Sequence, residues 1–171
     1  MARREDLYEE AVRSHGSALD RLVRAYEADP EARRDLLQDV HLALWRSLES
    51  FDERCSLRTW TFRVAHNVSA SHVARDRRAK SHSLVNIDTV DAAGASTDGG
   101  TIADSLLARE RLMSLIHKLK PLDRQVMILF LEGFDAESIS DVTGISSDNV
   151  STKIHRIKRI LIHRFHAGGT S

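Results

Sequence analysis

The chain has 171 residues, of which 42% are hydrophobic and 29% charged, a balance typical of a folded globular protein rather than a disordered one. Its net charge is zero, and its single cysteine, Cys55, excludes an internal disulfide and favours a reducing compartment. No stretch has the apolar length of a membrane span and the first residues do not form a signal peptide, so the sequence predicts a cytoplasmic protein.

Apolar residues recur about every 3.6 residues through the first half of the chain, which predicts three helices. The first covers residues 7–26. Asp29 and Pro30 mark the break after it, with Pro30 at a first helical position. The second helix carries an apolar stripe over residues 36–48, and the third begins near Leu57.

A change of composition divides the chain. Residues 81–104 are rich in Ser, Asp, Gly, Thr and Ala and contain few large apolar side chains. This composition predicts a flexible linker, with an ordered acidic strap as the alternative. The resulting prediction is an all-α protein with two small helical domains, residues 1–80 and 105–171.

Residues 135–159 have the plan of a DNA-binding helix-turn-helix. Asp135 is suited to cap a short helix, Gly144 to form the turn, and the second helix begins near Ser146 or Ser147. A plain helical hairpin with a hydrated basic face is the alternative. The outer face of the second helix offers groups that can contact phosphates or base edges: Asn149, Ser151, Thr152, Lys153, His155, Arg156 and Lys158.

Basic residues are concentrated in two blocks of an otherwise acidic chain. Residues 54–82 carry seven basic side chains and one acidic, and residues 150–166 carry five basic side chains and no acidic one. A polyanion such as DNA could contact both blocks. Two solvated helix faces would give the same pattern, so charge alone leaves both interpretations open.

The C-terminal motif resembles region four of the extracytoplasmic-function sigma factors, including the entry sequence Leu-Lys-Pro-Leu-Asp-Arg-Gln-Val from Leu119. Response regulators have a similar C-terminal domain, but they would also need a phosphoacceptor domain built on a parallel sheet. The first half instead resembles sigma region two in order and spacing. The segments that carry this resemblance are Asp-Leu-Leu-Gln-Asp-Val from Asp35, Trp45, Ser-Phe-Asp-Glu-Arg from Ser50, Leu-Arg-Thr-Trp-Thr-Phe-Arg-Val-Ala-His-Asn from Leu57, and Arg-Asp-Arg-Arg from Arg75.

The resemblance implies a bacterial transcription initiation factor whose partners are RNA polymerase core, promoter DNA and an anti-sigma factor. It places Asp35, Gln38 and Asp39 on the helix that grips the polymerase clamp helices. It assigns the outer face of the last helix to the minus-thirty-five element. Recognition and melting of the minus-ten element are assigned to Arg63, Asn67, Ser71, Arg75, Arg77, Arg78 and Lys80.

Several residues depart from the family pattern. Ala32, Arg33 and Arg34 stand where acidic residues are usual, which bears on the strength of core binding. Ser151 stands where a basic residue is common, and Leu129 where an arginine often meets the DNA backbone. Fewer and weaker minus-thirty-five contacts are therefore expected.

Other functional classes find little support in the sequence. Nine histidines are present, but none are spaced four residues apart, and there is no Cys-x-x-Cys, so no metal or other cofactor is predicted. No catalytic motif indicates an enzyme. The remaining alternatives are a sigma-like regulator that does not support initiation and a protein-interaction module.

Overall fold

The computed structural model describes residues 2–82 and 101–167, and every regular element within these two stretches is helical, as predicted. The middle of the predicted linker, residues 83–100, lies outside the described residues. The N-terminal domain contains α1 (Ala2–Tyr26), α2 (Pro30–Ser47), a 3-10 turn (Leu48–Ser50) and α3 (Leu57–His82). The C-terminal domain contains α4 (Thr101–His117), α5 (Pro121–Leu131), α6 (Ala136–Thr143) and α7 (Ser147–Ala167).

The corner between α1 and α2 is fixed by local chemistry. The Asp29 carboxylate accepts hydrogen bonds from the amides two and three residues further on, at 3.1 and 2.8 Å, and Pro30 opens α2 as predicted. The Arg33 guanidinium donates to the carbonyls of Glu27 (3.2 Å) and Ala28 (2.7 Å), just past the end of α1. Arg33, which stands where the family usually has an acidic residue, therefore stabilises this corner.

The C-terminal domain contains the predicted helix-turn-helix. Pro121 opens α5, and the Asp135 carboxylate caps α6 by accepting from the Ser138 amide at 2.8 Å. Gly144 has a φ of +77°, a left-handed conformation that lets the chain turn from α6 into α7. The apolar sides of α6 and α7 are buried through Ile139, Val142, Val150, Ile154, Ile157 and Leu161.

The two domains share one hydrophobic core. A single cluster of buried residues continues from α1 and α3 into α4, α5, α6 and α7. The rings of Phe62 in α3 and Phe134 after α5 meet edge to face, with 4.9 Å between their centroids. The ring of Tyr26, at the end of α1, lies 5.4 Å from the Arg124 guanidinium of α5. The two domains thus pack against each other, an arrangement that the composition of the linker does not predict.

Polar contacts reinforce this closure at the turn between α5 and α6. Arg21 in α1 donates from Nε and Nη2 to the two carboxylate oxygens of Glu132, each at 2.7 Å. This ion pair raises the pKa of Arg21. Arg58 in α3 donates to the Glu132 carbonyl and lies over the Phe134 ring at 3.9 Å. The paired, fork-shaped contacts fix the orientation of the turn as well as its position.

Candidate functional site

The three residues predicted to dock on polymerase lie along the outside of α2. Asp35, Gln38 and Asp39 are exposed, while the other side of α2 is buried in the N-terminal domain. The Asp39 carboxylate lies 3.8 Å from Arg75 Nη2 on α3. Because both partners are largely hydrated, this ion pair contributes little to stability and leaves Asp39 able to exchange partners.

A surface cleft of about 440 Å³ lies between α2 and α3, and Asp39 is part of its lining. Asn67 on its α3 wall is exposed, and the Ser71 hydroxyl donates to the Asn67 carbonyl at 2.8 Å. The cleft therefore connects the predicted docking face with residues predicted to meet melted DNA. Its lining consists of Asp39, Leu42, Ala43, Arg46, Asn67, Val68, Ser71 and Arg75.

Three other residues predicted to contact the minus-ten element, Arg63, Arg77 and Arg78, do not line this cleft. Arg63 is half-buried and donates to the Asp141 carbonyl of α6 at 2.7 Å. Its guanidinium is therefore already hydrogen-bonded to the C-terminal domain. We call Arg21, Arg58 and Arg63, together with their partners Glu132, Phe134 and the Asp141 backbone carbonyl, the interdomain clasp. Arg77 and Arg78 are exposed near the end of α3, and the side chain of Lys80 lies outside the described residues.

The last helix, α7, presents its predicted polar residues to solvent. Asn149, Ser151, Thr152, His155 and Lys158 are all exposed. Part of their hydrogen-bonding capacity is already used, because the Thr152 hydroxyl donates to the carbonyl four residues before it, at 2.9 Å. The Lys158 ammonium lies 4.2 Å from the centre of an α5 phenylalanine ring.

Lys153 and Arg156 do not project freely from α7. Lys153 Nζ lies 2.7 Å from Asp123 Oδ1, and Arg156 Nη2 lies 2.8 Å from Asp123 Oδ2. Asp123 is on α5, and its side chain is only 12% exposed. Sequence reasoning missed Asp123 because it lies 30 residues before Lys153, too far for any helical spacing to reveal the contact.

Arg159 is a second candidate for DNA contact that the sequence analysis did not include. It is exposed on α7, three residues after Arg156 and seven after Thr152, which places all three on neighbouring turns of one side of the helix. That spacing could have identified it. Leu129, by contrast, is fully buried, so this position is part of the core and cannot meet a phosphate.

The described part of the chain offers neither a metal site nor a membrane span. Within residues 2–82 and 101–167, no three His, Cys, Asp or Glu side chains are grouped so that they could hold a metal ion. In the same two stretches, each helix is too short or too polar to cross a bilayer.

Comparison with known families matches both domains. Residues 4–79 match the model of Sigma-70 region 2, and residues 109–161 match that of Sigma-70, region 4. The RNA polymerase sigma factor NccH of Alcaligenes xylosoxydans xylosoxydans is 26% identical over 86% of this chain and 80% of its own length. The ECF RNA polymerase sigma factor SigW of Bacillus subtilis is 24% identical over 74% of this chain and 72% of its own.

Solved structures share the arrangement of helices. CnrH, solved in complex with the cytosolic domain of CnrY, superposes with a TM-score of 0.66 at 25% identity and covers 94% of this chain and 88% of its own. The sigma factor RpoE of Bartonella quintana, solved with the anti-sigma factor NepR, has a TM-score of 0.68 at 19% identity and covers 90% of this chain and 93% of its own. The two family matches and the similarity to the curated sigma factors show that the chain belongs to the extracytoplasmic-function group of sigma-70 factors, which direct RNA polymerase to start transcription.

Proposed function

We propose that the α2 face formed by Asp35, Gln38 and Asp39 docks on RNA polymerase core and that the neighbouring cleft receives the melted minus-ten strand. The observation that carries this proposal is the position of Asp39, which belongs to the exposed face and also lines the cleft. A carboxylate face suits a basic partner, since complementary charge speeds docking and sets its register. Polymerase bound there would lie beside the DNA-binding cleft.

The α3 wall of the cleft has the chemistry that melted DNA requires. Asn67 can offer its amide to the edge of an unpaired base, and Ser71 lies one turn away. Arg75, Arg77 and Arg78 extend along the exposed end of the same helix, where cations can follow the phosphate backbone. This division assigns base reading to the cleft and strand holding to the arginines.

We further propose that α7 reads the minus-thirty-five element as duplex DNA. It is the second helix of the helix-turn-helix, and its exposed side carries amide, hydroxyl, imidazole and cationic groups. The same proposal includes a regulatory rather than catalytic role and a cytoplasmic location. An anti-sigma partner is part of it, because the similar RpoE of Bartonella quintana was solved in complex with an anti-sigma factor.

Transcription with purified polymerase core and genomic promoter fragments tests the whole proposal. The chain should bind core and produce transcripts that begin at discrete sites. The double variant Asp35→Lys, Asp39→Lys should bind core at least about tenfold more weakly, because two attractive contacts become repulsive. The measurements are core affinity and transcript yield, with helicity checked by circular dichroism.

The matched control reverses two exposed acids on α1, Glu9→Lys and Glu10→Lys, which changes the net charge equally. If the α2 variant bound core as well as this control, the docking face would be assigned wrongly. If the parent bound core but supported no transcript from any fragment, a sigma-like regulator without initiation activity would replace the proposed function.

A further inference from the structure

Asp123 forms a three-residue ion cluster that links α5 to the DNA-reading helix. Its two carboxylate oxygens are divided between Lys153 and Arg156, at 2.7 and 2.8 Å. The side chains of Asp123 and Lys153 are 12% and 25% exposed, whereas that of Arg156 is 56% exposed. The lysine is therefore directed into the domain, while much of the guanidinium stays in solvent.

The position of Asp123 explains why a carboxylate is stable there. Pro121 opens α5, Lys120 at the cap position makes no side-chain hydrogen bond to the helix, and Asp123 lies in the first turn. A negative charge in the first turn of a helix is favoured by the helix dipole. Two cations then share this shielded carboxylate, which leaves the cluster with one net positive charge.

The two cations of the cluster differ in how much of their binding capacity remains for DNA. Lys153 is a compact charge that would bind any phosphate, and pairing with Asp123 withdraws it from such contacts. Arg156 uses one terminal nitrogen for Asp123 and keeps its other N–H groups for a second partner. A guanidinium held on one side is preorganised for the two-pronged contact that arginine makes with guanine in the major groove.

We propose that Asp123 is a positioning residue for promoter reading, which orients Arg156 toward a base edge and withholds Lys153 from the phosphates. This inference rests on the proposed function of α7 as the minus-thirty-five reader. Asp123 thereby lowers the affinity of α7 for DNA of any sequence and raises its discrimination between sequences. A merely structural cluster would join α5 to α7 without affecting that discrimination.

The test uses the full chain bound to polymerase core and two duplex probes. One probe carries an upstream element from a fragment that supports transcription, and the other carries the same bases scrambled. Asp123→Asn keeps the shape of the side chain but removes its charge. We expect its affinity for the scrambled probe to rise, with the salt dependence steeper by about one unit as Lys153 becomes available. The ratio of the two affinities should fall about tenfold.

Asp141→Asn is the matched control, because it removes the same charge from an exposed α6 side chain. If Asp123→Asn lowered the melting temperature but discriminated as well as this control, Asp123 would be structural only and the proposal would be wrong. In an Arg156→Ala background, Asp123→Asn should cause no further loss of discrimination. A further loss there would show that Asp123 does not act through Arg156.

A second variant keeps the proposal testable if Asp123→Asn fails to fold. Arg156→Lys retains the charge but loses the guanidinium, so discrimination should again fall about tenfold while scrambled-probe affinity stays constant. Unchanged discrimination would overturn the proposal. If the parent holoenzyme itself bound both probes equally, the proposed role of α7 would fail, and the role of Asp123 with it, whatever the variants did.

Discussion

At the scale of single residues, His66 shows how burial controls a charge. Its side chain is only 1% exposed, and its Nδ1 shares a hydrogen bond of 3.0 Å with the Tyr26 hydroxyl. Burial lowers the pKa of His66 to about 3 and raises the pKa of Tyr26. Both groups are therefore neutral in the folded protein near pH 7, which suits a core that joins two domains.

This burial predicts a loss of stability in mild acid. The unfolded chain protonates His66 near its ordinary pKa of 6.5, whereas the folded chain does so only near pH 3, so stability falls as the pH drops between these values. Between pH 7.5 and 5.5 this histidine should remove about 1.4 kcal/mol of unfolding free energy. Urea titrations of the parent and His66→Gln at both values measure the effect. Equal pH dependence in the two proteins would contradict the assignment.

At the scale of helices, the ends are determined by residues at or beside them. Asp29 and Asp135 cap α2 and α6 with their carboxylates, and hydrogen bonds from Ser138 lower the pKa of Asp135. Gly144 permits the left-handed turn into α7. The turn between the two helices of the helix-turn-helix thus uses a left-handed backbone conformation at one residue.

Gly144→Ala tests that dependence. A Cβ at this position would meet nothing within 4 Å, so the substitution causes no steric clash. Its cost comes from the left-handed backbone alone, and we expect a loss of about 1 to 2 kcal/mol of unfolding free energy. Gly144→Asn should lose less, because asparagine adopts this conformation more readily. Chemical denaturation of the three proteins measures both differences, and equal stability of the alanine variant and the parent would refute the backbone explanation.

At the scale of the whole molecule, the closed arrangement is too compact for the proposed contacts with both promoter elements at once. The numbers in the names minus-thirty-five and minus-ten differ by 25, so about 25 base pairs, or about 85 Å of duplex, separate the two elements. A compact chain of this length has a radius of gyration of only about 16 Å. Arg63, one of the residues predicted to contact minus-ten DNA, is also hydrogen-bonded within the interdomain clasp. We therefore expect the two domains to separate when the factor binds its promoter.

Glu132→Lys should favour separation in the free protein. A lysine there would face Arg21, replacing an attraction with a repulsion at a position where the side chain is only 12% exposed. Small-angle scattering should show a larger radius of gyration than that of the control Glu137→Lys, which reverses an acid on α6 that makes no contact with Arg21. Equal radii for the two variants would mean that the clasp does not hold the domains together.

The sequence by itself determined the helices, their caps, the helix-turn-helix and the order of the two sigma regions. The helices, caps and turn depend on neighbouring residues, so apolar spacing, Pro30, Asp135 and Gly144 were enough to predict them, whereas the order of the two sigma regions came from the resemblance to a known family. Only the tertiary structure decided that Lys153 and Arg156 share Asp123, and that Arg21 reaches Glu132 across 111 positions of the chain. The physical reason is that such contacts depend on how helices pack, and packing between distant segments leaves no period in the sequence.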